Sequence, residues 1–317
     1  NAIESYWKGV LSHDLRPTRP YKESSVIGND FQKYGHRLVN LKKPNRFAVI
    51  ADNASLTGLN EFKLNNESDS NYNTVFRWLC DALYLMNIEY DVIPADPALF
   101  ASYENILVPA LYSATDEVLN ALNEFVANGG NMVVTFKSAF SDEHLKIRHD
   151  VQPYIINKAL GIQYDEFTLP DDVTVTCGGK SAKAREWMEM VDCTTVTPVA
   201  MYEHKHWGVH AAITENSYGK GRAMYLATLF GEDTLIEALK LFFGEQKNEF
   251  DASYPVVIKR GTNMQGEKII YLLNYSDDEQ TVTCHADGLK KLCDDSTVSA
   301  GDCIALAPWD FSILYAD

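Results

Sequence analysis

The sequence predicts a two-part protein: an α/β domain built on a parallel sheet with helices on both faces, then a small all-β sandwich domain. Three observations lead there. Between residues 46 and about 245, compact apolar strands alternate with amphipathic helices. Those strands carry apolar residues on both faces, as strands covered on each side do. From residue 251 the pattern changes to short strands between turn residues. The boundaries fall at 1–45, 46–248 and 249–317.

The first segment does not read as a domain. "YWKGVLSHDLRPTRPY" has two prolines and no sustained period. A helix follows, with Ser24 or Ser25 as its cap and Val26, Ile27, Phe31, Tyr34, Leu38 and Leu41 on one side, while Gly28 weakens its first turn. This apolar face has no partner within its own segment. It is expected to fold onto the α/β domain, to join a contact between molecules, or to be loosely held.

In the α/β domain "RFAVIAD" is the first strand, and a polar loop is expected from there to Asn73. The next helix sets Val75, Leu79, Ala82, Leu83 and Met86 at helical spacing. "IEYDVIP" is a second strand, closed by Pro94, and "NILVP" a third. Thr115 caps a helix with Val118, Leu119, Leu122, Phe125 and Val126 on one face, ended by Gly129 and Gly130. "NMVVTF" is the fourth strand. "WGVHAAITEN" and "GRAMYLATL" flank "SYGKG" as a hairpin, and Thr234 to Phe243 is a closing helix. In the last domain "YPVVIKRG", "KIIYLLNYS", "QTVTCHA", "STVSAGDCIALAP" and "FSILYAD" are strands.

Charge narrows the partners. With 44 acidic against 28 basic residues the net charge is −16, which opposes binding to nucleic acid or to anionic lipid. No apolar run approaches the ~18 residues of a membrane span. A cytoplasmic protein with neutral partners is expected. The chain starts at Asn1 without a basic-then-apolar signal segment, and Asn1 and Ala2 read as a remnant of tag cleavage. The six cysteines (Cys80, Cys177, Cys193, Cys284, Cys293 and Cys303) form no C-x-x-C pair. Buried free thiols are expected for all six, with a disulfide among the last three left open.

Candidate chemistry is sparse. The α/β pattern resembles a class I glutamine amidotransferase or flavodoxin-like fold, where ligands sit at the carboxyl ends of the strands. An amidotransferase nucleophile is a cysteine on a sharp turn after a strand. Here "NMVVTF" runs into Lys137, Ser138 and Ala139, with no cysteine and no G-x-S-x-G elbow, so Ser138 reads as a turn or cap residue. The "AFSDEH" that follows, with His144, reads as a solvated loop. His204, His206 and His210 in "HKHWGVH" place an H-x-H pair on a strand, a metal pair or, as the preferred reading, surface histidines. Gly219, Lys220 and Gly221 lack the spacing of a phosphate loop and read as a hairpin turn. Trp207, Trp309 and Tyr202 are candidate sugar-stacking rings or core aromatics. No catalytic residue, metal site or cofactor emerges.

Resemblance adds an identity to this pattern. "ESYWKGVLSHD" resembles the stretch that closes the catalytic barrel in glycoside hydrolase family 42 β-galactosidases. "NILVPALYSATDEVLNALNEFVANGGNMVVTF" is similar to that family's trimerisation domain, a degenerate amidotransferase-like fold, and "ITENSYGKGRAMYLAT" to its final hairpin. "VVIKRG", "IIYLLNYSDDEQTV" and "ALAPWDFSILY" are similar to its C-terminal β domain. The resemblance implies a C-terminal portion of a retaining β-galactosidase, with residues 1–45 holding the tail end of a barrel. An eight-unit barrel takes ~250 residues, so both catalytic carboxylates, ~5–5.5 Å apart in retaining enzymes, and the barrel's cysteine-rich zinc site lie on chain not present here. The resemblance further implies a homotrimer in the full enzyme, with the α/β domain walling the neighbouring active site. It places Glu4, in an E-x-x-W pattern, at a galactose subsite with Trp7 offering an aromatic face, and leaves His13 structural or functional. A stand-alone amidotransferase-like enzyme or carbohydrate-binding module is the alternative.

Overall fold

The computed structural model describes residues 9–246 and 248–316. They form two compact units. One begins at Asn45 and holds the α/β elements. The other joins the described residues up to Pro44 with those from Asn248 onward.

Helix α1 (Arg19–Leu38) opens the second of these units. Its first turn follows Thr18 and contains Pro20 instead of starting at Ser24 or Ser25. Proline suits this position because its missing N–H would have no partner in a first turn. The α/β unit runs β1 (Phe47–Ile50), α2 (Asn53–Glu61), α3 (Tyr72–Leu85), β2 (Tyr90–Ile93), α4 (Pro97–Phe100), β3 (Asn105–Val108), α5 (Asp116–Ala127) and β4 (Asn131–Thr135). It continues with α6 (Asn157–Leu160), β5 (Ile162–Gln163), β6 (Phe167–Thr168), β7 (Thr174–Cys177), β8 (Lys180–Lys183), β9 (Arg185–Glu189), β10 (Asp192–Cys193) and β11 (Thr197–Glu203). It closes with β12 (Ala211–Tyr218), β13 (Gly221–Leu226), β14 (Thr228–Leu229) and α7 (Glu232–Phe243).

Nine strands make the main sheet, in the order β2-β1-β3-β4-β13-β12-β11-β7-β8. The five from β2 to β13 are parallel. The remaining four are antiparallel, so the sheet is mixed rather than wholly parallel. The cause is the hairpin between β12 and β13: a two-residue turn can only reverse the chain. In the parallel half β1 is followed by β2 on one side and then β3 on the other. Right-handed crossovers therefore put α3 on one face and α4 and α5 on the opposite face. The contacts agree: α3 packs with α2 and α7, and α5 with α4 and α6.

Local chemistry explains the ends of these elements. The stretch expected to be a loop contains α2, whose N-terminus is held by Asp52: its carboxylate accepts from Ser55 N at 2.6 Å. The Thr115 hydroxyl accepts from Val118 N at the start of α5. At its end Gly130 N donates to Phe125 O and Gly129 N to Val126 O, the double bond pattern that requires a left-handed residue, here Gly129 at φ 119°. The hairpin tip rests on this same helix end, with Lys220 N donating to Ala127 O. A Cβ on Gly219 would lie 2.5 Å from Ala127 O, and one on Gly221 2.1 Å from Gly130 O. The glycines of "GKG" thus permit backbone packing at the hairpin tip.

The β unit has β15 (Phe250–Asp251), β16 (Val256–Thr262), β17 (Lys268–Asn274), β18 (Gln280–Cys284), β19 (Leu289–Lys291), β20 (Thr297–Val298), β21 (Cys303–Leu306) and β22 (Phe311–Ala316). They form two antiparallel sheets, β15-β18-β21 and β16-β17-β22-β19-β20. Phe250, Val282 and Ile304 of the first share one core with Ile258, Ile270 and Leu314 of the second. Helix α1 belongs to this unit. Tyr34 and Leu38 pack with Leu41 against Ile269, Leu292 and Tyr315, and Arg37 stacks on Tyr315 at 4.2 Å. The helix was expected on the α/β domain, in an intermolecular contact or loosely held; its described residues instead join the β unit. Val26, Ile27 and Phe31 stay exposed.

Replacing Gly221 by alanine forces the hairpin tip off the end of α5. The expected cost is about 3 kcal/mol, read as a lowered urea midpoint with an unchanged slope.

Candidate functional site

The residues singled out from sequence do not converge. Glu4 and Trp7 lie outside the described residues. Ser138 is fully buried, and its hydroxyl accepts from Leu111 N at 3.1 Å, tying the loop after β3 to the loop after β4. His144 is exposed in a turn anchored by Asp142, and His13 is exposed. His204, His206 and His210 follow β11 in a turn and not on a strand. His204 stacks on Trp207 at 6.2 Å, and His210 Nδ1 meets Asp192 Oδ1 at 3.0 Å. Among the described residues no cluster of three His, Cys, Asp or Glu is arranged to hold a metal ion. Trp309 is exposed and its indole N–H donates to Asp277. Tyr202 offers no sugar platform: it is buried, and its hydroxyl donates to Glu189 O at 3.0 Å. All six cysteines are free, but only Cys80, Cys177 and Cys284 are buried; Cys193, Cys293 and Cys303 are exposed. Among the described residues no helix is long and apolar enough to cross a membrane.

What the structure does assemble lies at the carboxyl end of β4. There the chain turns through Lys137 at φ 64° and Ala139 at φ 58°, two non-glycine residues in the left-handed region. The Lys137 side chain is 5% exposed and enters a ring of aromatics. Its Nζ lies 3.7 Å from the centre of Trp187, 4.6 Å from Phe140, 5.6 Å from Tyr112 and 5.7 Å from Phe167. The rings pack on one another, Phe140 against Tyr112 at 5.6 Å and Phe167 against Trp187 at 4.4 Å. Ring faces are negative, so they hold an ammonium that has left water.

Behind the turn sits Glu189, fully buried on β9. One carboxylate oxygen accepts from Lys137 N at 2.9 Å and Trp187 Nε1 at 3.2 Å, and the other from the Tyr225 hydroxyl at 2.5 Å. Three donors satisfy the group, as burial of a carboxyl requires. Burial still raises its pKa above the ordinary carboxylate value, against the pull of Tyr225, the Lys137 amide, Trp187 and the Lys137 charge. Burial likewise pushes the phenols of Tyr225, Tyr202 and Tyr164 well up, with Glu189 adding to the effect. For Lys137, burial lowers the pKa to about 8, with Glu189 pulling the other way.

Sequence reading passed over this pair. Lys137 looked like a turn residue, and Glu189 belongs to a strand whose partners are distant in sequence. One signal was present: in "WMEMV" a single acid stands among apolar residues on both sides, which a solvated face would not show.

Comparison with known proteins gives the following. A family model described as a beta-galactosidase trimerisation domain matches residues 45–248. The β-galactosidase LacA of Lactobacillus acidophilus is 25% identical over 295 residues, covering 91% of this chain and 44% of its own. The β-galactosidase LacZ of Heyndrickxia coagulans is 26% identical over 294 residues, covering 88% and 42%. The β-galactosidase structure from Bacillus circulans sp. alkalophilus superposes with a TM-score of 0.89 at 22% identity, over 100% of this chain and 48% of that one. The chain thus spans less than half the length of these curated relatives.

Two outcomes test the Lys137–Glu189 arrangement. Glu189→Leu strands three buried donors and is expected to destabilise the α/β unit by about 3 kcal/mol, whereas Glu189→Gln, which keeps an acceptor, loses less; equal losses in chemical denaturation would contradict the hydrogen-bonding role. The second concerns pH. Below about pH 8 Lys137 is protonated in folded and unfolded chains alike, and burial of the charge costs its full amount. Between there and the ordinary lysine value of 10.5 the folded chain sheds the proton first, so that cost fades. The stability of the wild type relative to Lys137→Met should therefore rise from pH 7.5 to pH 10.5, by on the order of 3 kcal/mol, in paired melts.

Proposed function

We propose, from the premise that this chain belongs to the β-galactosidase trimerisation-domain family within glycoside hydrolase family 42, that it is the C-terminal assembly region of a retaining β-galactosidase. The observation that carries this reading is the family match, which spans essentially the whole α/β unit. In the full enzyme that unit supports a homotrimer and walls the active site of the neighbouring subunit. The pair of carboxylates that cleaves terminal β-D-galactosides belongs to the barrel upstream, in the part of the relatives that this chain does not cover. Glu4 and Trp7 reach a galactose subsite only when that barrel is present. The enzyme acts in the cytoplasm.

An amidotransferase-like ancestry fits the geometry of the sheet. Its parallel half has the order 2-1-3-4-5 of flavodoxin-like folds when β13 is counted fifth. At the sharp turn after the fourth strand, where such enzymes present a cysteine, this chain presents Lys137. That substitution is the reason to read the α/β unit as a scaffold and not as a stand-alone amidotransferase.

Light scattering on the 317-residue chain is expected to report a mass near three times 35.6 kDa. A monomer at high concentration would show that assembly needs the barrel. The same sample should leave a chromogenic β-galactoside intact, and hydrolysis by the pure chain would overturn the assignment of catalysis to the upstream region.

A further inference from the structure

At the carboxyl edge of the parallel strands a run of aromatic rings ends in solvent. Phe62, at the end of α2, stacks on Tyr112 of the loop after β3 at 6.3 Å. Tyr112 stacks on Phe140 of the loop after β4 at 5.6 Å, and Phe140 meets Phe167 of β6 edge-on at 5.8 Å. Four segments distant in sequence thus share one face. Its two ends are open, with Phe62 51% and Phe167 45% exposed. Ile147, which bridges to Ser141 in the loop after β4, and Leu169, just past β6, are exposed as well. An aromatic side chain carries about 150–250 Å² of surface, so the two half-exposed rings present roughly 200 Å². The aliphatic pair extends that patch.

The backbone beneath it is held in place at some cost. Ala110, Lys137, Ala139, Leu145 and Glu186, on these segments or beside them, have φ between 37° and 67°. Non-glycine residues keep such a conformation where the surrounding structure enforces it, and they gather at surfaces put to use. Glu186 Oε2 accepts from Ser68 Oγ at 2.6 Å, tying the loop after α2 to β9, and Glu189 holds the Lys137 amide from behind. A surface fixed beforehand loses little freedom when it is covered. Acids flank it: Glu143, Asp165 and Glu166 are exposed. Contact about a twofold axis would set those acids against their own copies. A head-to-tail ring sets them against a different surface.

We propose that this edge is one side of the contact between copies of the chain, the apolar centre on which a neighbouring α/β unit seats in a ring of three. The occupant is a second copy because the model matching residues 45–248 describes a trimerisation domain. This rests on the assembly reading above and adds to it the surface. A stable contact buries about 800 Å² per partner, so the rings form its core and the acids belong to its polar rim.

Light scattering combined with hydroxyl-radical footprinting tests it on the 317-residue chain. At high concentration the wild type is expected to weigh near three times 35.6 kDa. Oxidation of Phe62, Ile147, Phe167 and Leu169 should then fall several-fold below that of the diluted monomer. Ile147→Glu combined with Leu169→Glu changes two exposed side chains outside the ring stack. That variant should keep the urea midpoint and need at least about a hundredfold higher concentration to assemble. Leu241→Glu, at an exposed apolar site on α7, should leave the trimer intact. A trimer that persists in the folded double variant overturns the surface and leaves the assembly reading standing. So does an edge labelled equally at both concentrations, which would assign it to an upstream segment or another partner. A wild type that stays monomeric at every concentration overturns the contact together with self-assembly of this chain.

Discussion

Glu189 is the group on which the α/β unit turns. Its side chain holds the amide of Lys137 after β4, the indole of Trp187 beside it and the hydroxyl of Tyr225 on β13. Its backbone carbonyl accepts from Tyr202 on β11, and its N–H donates to Ala227 O. One residue thereby links the end of the parallel half of the sheet to the antiparallel half. A buried carboxyl is tolerable only when its acceptors are filled, and here each donor comes from a position fixed by a different strand or turn. Loss of one donor therefore leaves part of a buried carboxyl's accepting capacity unfilled.

That constraint explains why the left-handed turn at Lys137 survives. The Lys137 amide is a donor to Glu189, which orients the peptide, while Ser138 binds the Leu111 amide in the adjacent loop. With the backbone held on both sides, the side chain has one direction to take, into the rings of Trp187, Phe140, Tyr112 and Phe167. The turn at the end of β4 directs a cation inward.

The β unit shows the same economy on a smaller scale. Its two sheets close over one shared core. The apolar side of α1 is divided: Tyr34 and Leu38 meet the five-stranded sheet, whereas Val26, Ile27 and Phe31 face outward. A 20-residue helix of moderate propensity gains its place through the C-terminal half of that stripe and the Arg37 contact to Tyr315.

Periodicity and turn chemistry by themselves determined the strands β1 to β4, helices α3 and α5, the β12–β13 hairpin, α7 and most strands of the β unit. These are local patterns: Thr115 beneath Val118, Gly129 after Val126, and apolar runs broken by glycine and proline. They failed where signals were short or lacked a period, as for α2 and the strands between residues 162 and 203. Only the tertiary structure decided that half of the main sheet is antiparallel, that the histidines of "HKHWGVH" lie in a turn, and that three cysteines face solvent. It alone brought Lys137 and Glu189 together across 52 positions of chain. The physical reason is that burial of a charge is a property of what surrounds it, and those surroundings come from strands far apart in sequence.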